Sequence, residues 1–230
     1  MVRFESQPER NDMTQVHYGR PEYWEERYSK DLEPFDWYQR FAGLKQIITK
    51  HTKTNNKIVY LGCGTSRLPE EMVAYGYKDV LSIDWSLTLI SHLQEKHKSL
   101  APLTYLRMNA LGLELSDNHY DCVIDKGTLD SILVSQNIVS FSTNQCGEES
   151  TININRVLSE VYRILKPGGV FVCVSHANPE HRIPLFEKSI FEKSRVEVTP
   201  VEKPQVLSTS AEPGTEVHYV YTVSKEKEVV

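Results

Sequence analysis

The run Lys57-Ile58-Val59-Tyr60-Leu61-Gly62-Cys63-Gly64-Thr65-Ser66-Arg67, followed by Ile83-Asp84-Trp85, limits what this chain can fold into more than any other stretch. Ile58 to Leu61 is a short apolar run that ends at a glycine, the pattern of a parallel strand buried on both faces. Gly62 and Gly64 let the backbone turn sharply and approach a ligand with no Cβ in the way. Ser66 is placed to cap a helix that carries Leu68, Met72 and Val73 and closes at Gly76. Val80-Leu81-Ser82-Ile83 forms a second strand, with Asp84 at its carboxyl end. Strand, glycine turn, helix, strand and acid make a nucleoside-binding half-fold, in which the carboxylate accepts hydrogen bonds from two ribose hydroxyls.

Arg67 stands where the third glycine of a dinucleotide-binding G-x-G-x-x-G belongs, and that glycine makes room for a pyrophosphate. The turn therefore favours a nucleoside without phosphates over NAD or FAD, and S-adenosylmethionine is such a ligand. The plainer alternative is a flavodoxin-like turn with an exposed Asp84. The pattern then repeats. Leu87 to His97 is helical with Leu89, Ile90 and Leu93 inward, Leu103 to Met108 is a third strand, and Tyr120 to Ile124 is a fourth. Asn109, after the third strand, either contacts an adenine amine or caps a turn. Strands alternating with helices imply a parallel sheet covered on both faces.

The fourth strand delivers Asp125-Lys126-Gly127-Thr128-Leu129-Asp130 to the carboxyl edge of that sheet, where ligands of such folds bind. Lys126 suits a ligand carboxylate, and Asp125 or Asp130 a substrate cation; the plainer role for Asp130 is a first-turn acid on the next helix. Gln136 to Ser150 reads as a loop. Ile152 to Leu165 follows the helical period and stops at Lys166-Pro167-Gly168-Gly169, before a fifth strand from Val170 to Val174. After Pro184 the chain turns to β character, with strands expected over Ser194–Val201 and Val217–Val223. Cys173, His176 and His181 lack a fourth ligand at suitable spacing, so no metal is expected.

Residues 1–16 read as a disordered tail and 17–225 as one domain: 17–56 as an N-terminal lid, 57–176 as the cofactor-binding core, and 177–225 as C-terminal strands. Tyr18, Tyr23, Trp24, Tyr28, Phe35, Trp37, Tyr38 and Phe41 crowd the segment before the first strand. Pro21 opens a helix in which Trp24 and Tyr28 share a face. These rings either fasten an extra helix to the domain or close over a bound nucleoside and its sulfonium. Phe41 to Thr49 forms an amphipathic helix. The net charge of −5 disfavours nucleic acid as the main partner. No run is long enough for a membrane span, and the N-terminus is too polar for a signal peptide. Cys63, Cys122 and Cys173 fall in or beside strands as core thiols of a reducing compartment, so the expected location is cytoplasmic.

Together, Tyr23-Trp24-Glu25-Glu26-Arg27-Tyr28, Asp36-Trp37, Leu61-Gly62-Cys63-Gly64-Thr65-Ser66, the Asp125–Asp130 hexapeptide and Leu165-Lys166-Pro167-Gly168-Gly169 carry a resemblance. The chain resembles the class I S-adenosylmethionine-dependent methyltransferases over roughly Tyr18 to Lys225. Within them it is similar to the branch that methylates protein lysines, notably on translation elongation factor 1-alpha. The resemblance implies a Rossmann-like, doubly wound, mostly parallel seven-stranded sheet whose last strand is antiparallel. It implies S-adenosylmethionine as cofactor and a protein substrate; no nucleic acid or membrane partner is expected, and the chain is expected to be a monomer. Trp24, Tyr28 and Trp37 would cover the cofactor, Gly62 and Gly64 would form its turn, and Asp84 would hold the ribose. Trp85 would lie beside the adenine, Asn109 and Ala110 at the base edge, and Lys126 along the pocket. Asn109 stands where Asp is usual, and Asp125 where Glu is common. The Asn/Asp-Pro-Pro-aromatic motif of base methylation is missing after the fourth strand.

A lysine nucleophile must lose a proton from a group that ordinarily titrates near pH 10.4, and an apolar aromatic channel would lower that value. Asp130 is expected to orient the substrate. Three other readings remain: a methyltransferase for a small molecule or another nucleophile, a non-catalytic module of the same fold, and an NAD-dependent enzyme, which Arg67 disfavours.

Overall fold

The computed structural model describes residues 18–134, 148–204 and 217–227. The tail expected over 1–16 and most of the loop expected over 136–150 lie outside them. Two helices, α1 (Pro21–Lys30) and α2 (Phe41–His51), precede β1 (Lys57–Leu61), α3 (Leu68–Tyr75), β2 (Asp79–Asp84), α4 (Leu87–Lys96) and β3 (Leu103–Arg107). Then come β4 (Tyr120–Lys126), α5 (Thr128–Val134), α6 (Glu148–Ile164), β5 (Leu165–Ser175), α7 (Pro179–Glu187), β6 (Val196–Glu202) and β7 (Val217–Ser224). The sheet runs β3-β2-β1-β4-β5-β7-β6. Strands β1 to β5 pair in parallel, and β7 lies antiparallel between β5 and β6. The expected doubly wound, mostly parallel sheet with a reversed last strand is what forms.

The alternation of strand side chains makes two cores. Ile58 and Tyr60 of β1 face one layer with Leu44, Ile48, Met72, Leu89 and Ile90 from α2, α3 and α4. Val59 and Leu61 face the other, with Val157, Leu158 and Val161 of α6 and Phe186 of α7. A strand buried on both faces needs an unbroken apolar run, which is how β1 reads in the sequence. On α6, Ile154, Val157, Leu158, Val161 and Ile164 are all within 1% of full burial, so the helical period is the reason the helix forms here.

Several boundaries differ from the sequence reading. β4 runs two residues further, so Asp125 and Lys126 are strand residues, not loop residues. α6 begins at Glu148, inside the expected loop, and Leu165 already belongs to β5. β5 passes through Pro167-Gly168-Gly169, where its register against β4 shifts. A short helix, α7, occupies the start of the region assigned to the C-terminal strands; Asn178 caps it through His181 N (3.2 Å) and Pro179 opens it. Ser66 keeps a capping role one residue early, its Oγ accepting from Leu68 N (3.1 Å).

Candidate active site

The site is built at the carboxyl ends of β1, β2, β4 and β5. After β1, Gly62 and Gly64 take φ of +55° and +53°, a left-handed conformation that other residues adopt at a cost. Space is equally restrictive. A Cβ on Gly62 would stand 2.0 Å from Thr128 Oγ1, and one on Gly64 would stand 3.0 Å from Tyr28 Oη. Asp84 ends β2 and is 8% exposed; its Oδ2 accepts from Gly64 N (3.0 Å) and its Oδ1 from Ser86 N (3.0 Å). Burial pushes its carboxyl up from the ordinary value, and these backbone donors oppose the shift. The acid is thus fixed directly beside the glycine turn.

The aromatic N-terminal segment lies over this turn. Tyr28 is buried and stacks on Trp24, with ring centres 5.9 Å apart. Tyr18 meets Trp24 and Trp37 at 5.7 Å each. Glu25 fastens α1 to the start of α4, its Oε1 accepting from Thr88 N (3.1 Å) and Thr88 Oγ1 (2.5 Å). Hydrogen bonds from Ser86 and then Thr88 hold the Glu25 carboxyl below its usual range. The second anchor is Asp36, which accepts from Ser66 Oγ, from Arg67 N (3.3 Å) and from Lys126 Nζ (3.3 Å). Lys126 also donates to Trp37 O (2.9 Å) and is 3% exposed. Its ammonium is therefore occupied by the segment that carries Trp37. Burial pushes its pKa down, with Asp36 acting in the opposite direction.

Asp130, on α5, is 5% exposed and saturated. Oδ1 accepts from Arg182 Nη2 and Ser175 Oγ (2.7 Å), and Oδ2 from Tyr38 Oη (2.7 Å) and His176 N (3.3 Å), with His176 Nδ1 at 2.9 Å. Of its side-chain partners, Ser175 and Arg182 are buried, whereas Tyr38 and His176 are not. Asp125 is buried behind it, its Oδ1 accepting from Thr128 N (3.1 Å) and Leu129 N (3.2 Å). Burial, and then the charge of Asp130, push the Asp125 carboxyl up to about 7.

Trp85 lies at the rim, 39% exposed, with the Arg107 guanidinium 5.5 Å from its ring centre. Asn109 Oδ1 accepts from Leu111 N (2.9 Å), so its oxygen serves a local turn, and Ala110 beside it is half-buried. An open groove of about 600 Å³ borders Tyr38 on the side of α3 and α4; Gly62, Gly64 and Asp84 do not line it. Among the described residues no three His, Cys, Asp or Glu side chains converge as metal ligands. The sequence reading missed Ser175 and Arg182 as partners of Asp130, and considered His176 only as a metal ligand. The Asn178-Pro179 helix start was the available signal for Arg182; nothing local marks Ser175.

Residues 59–173 match the family described as methyltransferase domain, which is half of the chain. The chain belongs to the S-adenosylmethionine-dependent methyltransferases. This methyltransferase is 30% identical over 193 residues to the mouse (Mus musculus) "EEF1A lysine methyltransferase 4", a match covering 81% of this chain and 71% of that one. It is 33% identical over 163 residues to the mouse "eEF1A lysine and N-terminal methyltransferase", covering 70% of this chain. The match spans only 22% of that longer protein. An S-adenosylmethionine-dependent methyltransferase from Methanosarcina mazei shares the fold at a TM-score of 0.54 and 16% identity, covering 84% of this chain and all of that one.

The methyltransferase cofactor is S-adenosylmethionine, and the residues present fit it. The turn is closed to a Cβ at Gly62 and tight at Gly64, and an adjacent buried carboxylate, held by two backbone amides, keeps lone pairs for hydroxyl donors. A phosphate at this turn would face that carboxylate; a ribose with two hydroxyls and a cationic sulfonium would be attracted by it.

Proposed function

We propose that this methyltransferase transfers the methyl group to a lysine side chain of a protein, with elongation factor 1-alpha as the substrate. One observation carries the reading: a relative named for that reaction matches most of the chain and most of its own length. The aromatic N-terminal segment and the Asp125–Asp130 hexapeptide, on which the family resemblance rests, are also the parts that fasten to each other here. When bound, the cofactor supplies a methyl group on a sulfonium, ready for in-line displacement.

The chain's own residues bind, align and exclude water. Gly62 and Gly64 let the backbone approach the methionine part, and Asp84 holds the ribose hydroxyls. Trp24, Tyr28 and Trp37 cover the cofactor, Trp85 flanks the adenine, and Asn109 with Ala110 borders the base edge. Lys126 shapes the pocket by fixing Trp37, and Asp130 orients the substrate through the groups it holds. The protein works in the cytoplasm as a monomer, and residues 17–225 act as one domain.

The test is incubation of the full chain with S-adenosylmethionine and purified elongation factor 1-alpha, followed by peptide mass spectrometry. A methylated lysine is the expected result. Methyl transfer that appears only in the small-molecule fraction of a lysate would overturn the reading.

A further inference from the structure

Thr128, the first residue of α5, reaches back to the cofactor turn. The parallel pairing of β1 with β4 ends at Leu61 and Asp125. Past that point Thr128 Oγ1 donates to Leu61 O (3.1 Å), so a side chain joins the helix to the last residue of β1. Leu61 is fully buried, and water is poorly placed to replace that donor. The same side chain fills the space over Gly62. A Cβ there would lie 3.0 Å from Thr128 Cβ and 3.0 Å from its Cγ2, and closer still to Oγ1. Gly62 takes φ +55°, where glycine alone is at ease, and Thr128 occupies the room that its missing side chain leaves.

Thr128 is itself held tightly. Its N–H and that of Leu129 donate to Oδ1 of Asp125 (3.1 and 3.2 Å), the buried acid near the end of β4. Gly127, at φ +92°, turns the chain between strand and helix, and its carbonyl accepts from Ser131 N and Ser131 Oγ (2.9 Å each). A threonine is stiff at χ1, so with its backbone fixed and its hydroxyl engaged it has little freedom. The turn it touches has more. Gly62 and Gly64 lie two residues apart, and glycine loses more conformational freedom on ordering than any other residue. Contacts that fix such a turn in advance remove part of that cost from ligand binding.

We infer that Thr128 is a positioning residue for the cofactor, holding the glycine turn in the form that receives the methionine part. This rests on the placement of that part at Gly62 and Gly64 proposed above. The influence of Thr128 falls mainly on one end of the ligand. Asp84, which faces the ribose, is held by Gly64 N and Ser86 N from the far side of the turn rather than by α5. Loosening Leu61 and Gly62 therefore weakens the grip on the amino-acid end and largely spares the nucleoside. The hydroxyl and the shape of Thr128 are separable: serine keeps the donor, whereas valine keeps the shape and loses it.

The experiment titrates the full chain by calorimetry with two ligands. One is S-adenosylhomocysteine; the other is 5′-methylthioadenosine, which keeps the nucleoside and the sulfur but lacks the amino and carboxylate groups. Thr128→Val should weaken S-adenosylhomocysteine about five- to thirtyfold and change methylthioadenosine affinity much less. Thr128→Ser should recover the wild-type affinity for both. Thr128→Ala, which sets no apolar group against Leu61 O, should show the same selective loss and replaces the valine variant if that one does not fold. Wild-type affinity in the valine and alanine variants, an equal loss for both ligands, or a serine variant as weak as the others would overturn the inference alone. A wild-type chain that binds S-adenosylhomocysteine no more tightly than methylthioadenosine would overturn the placement of the methionine part, and the inference with it.

Discussion

Asp125 and Asp130 are both buried, yet their surroundings give them opposite charge preferences. Asp130 has Arg182, Ser175, Tyr38 and His176, and its carboxyl is held low; Asp125 has only neutral donors, and burial raises it to about 7. The signs follow from linkage. For Asp125 the folded value lies above the ordinary 3.8, so between about pH 4 and 7 the folded chain keeps a proton that the unfolded chain has lost. Its contribution to stability therefore declines as pH rises through that window. For Asp130 the folded value is depressed, so its contribution is present above about pH 4 and disappears below. Denaturant midpoints measured across pH should show Asp125→Asn flattening the decline between about pH 4 and 7. Asp130→Asn should instead lower stability above about pH 4 and flatten the loss of stability towards acid pH, so that variant and wild type converge there. At the cofactor turn, Asp84→Asn removes the anionic acceptor. A hydrogen bond to a charged group contributes about 1.5–3 kcal/mol, so S-adenosylhomocysteine affinity should fall at least about tenfold by calorimetry. Unchanged affinity would remove Asp84 from the ribose.

The element that most depends on tertiary contacts is the segment from α1 to Tyr38. Its fasteners include Glu25 on Thr88, and Asp36 with Trp37 O on Lys126. The Lys126 side chain is 1% exposed and that of Asp36 10%, so removing one partner leaves a poorly solvated charge. Breaking such a pair costs about 3–5 kcal/mol, whereas removing both charges can be nearly neutral. Lys126→Met should therefore lower the urea midpoint strongly, raise amide exchange over residues 31–40, and weaken S-adenosylhomocysteine binding. Asp36→Asn added to it should recover part of the stability. A Lys126→Met chain with wild-type exchange over 31–40 would show that this ion pair does not hold the segment.

For the molecule as a whole, ligand binding and folding are linked. S-adenosylhomocysteine at about a hundred times its dissociation constant should add about 2.7 kcal/mol. For a domain of this size that raises Tm by about 5–10 °C. NAD should leave Tm unchanged, since the pyrophosphate-accommodating glycine is replaced by Arg67. A shift with NAD would overturn the reading of the turn.

What the sequence determined is whatever repeats locally. The apolar run of β1, the glycine turn, the acid ending β2 and the helical period of α6 each depend on neighbours within a few residues, so the parallel, helix-covered sheet and the cofactor class were legible in them. Boundaries were less so. Lys126 looked like a loop residue because a charged side chain at a strand end gives no sign of a buried partner, and α7 was hidden because Pro184 reads as a helix breaker. Only the tertiary structure decided the assembly of the Asp130 cluster. Tyr38 is 92 positions from Asp130 and Ser175 is 45, and contacts at such separations leave no periodicity for the sequence to display. They exist because the parallel crossovers set β4 beside β5, and because Asp36 and Lys126 fold the N-terminal segment back across both strand ends.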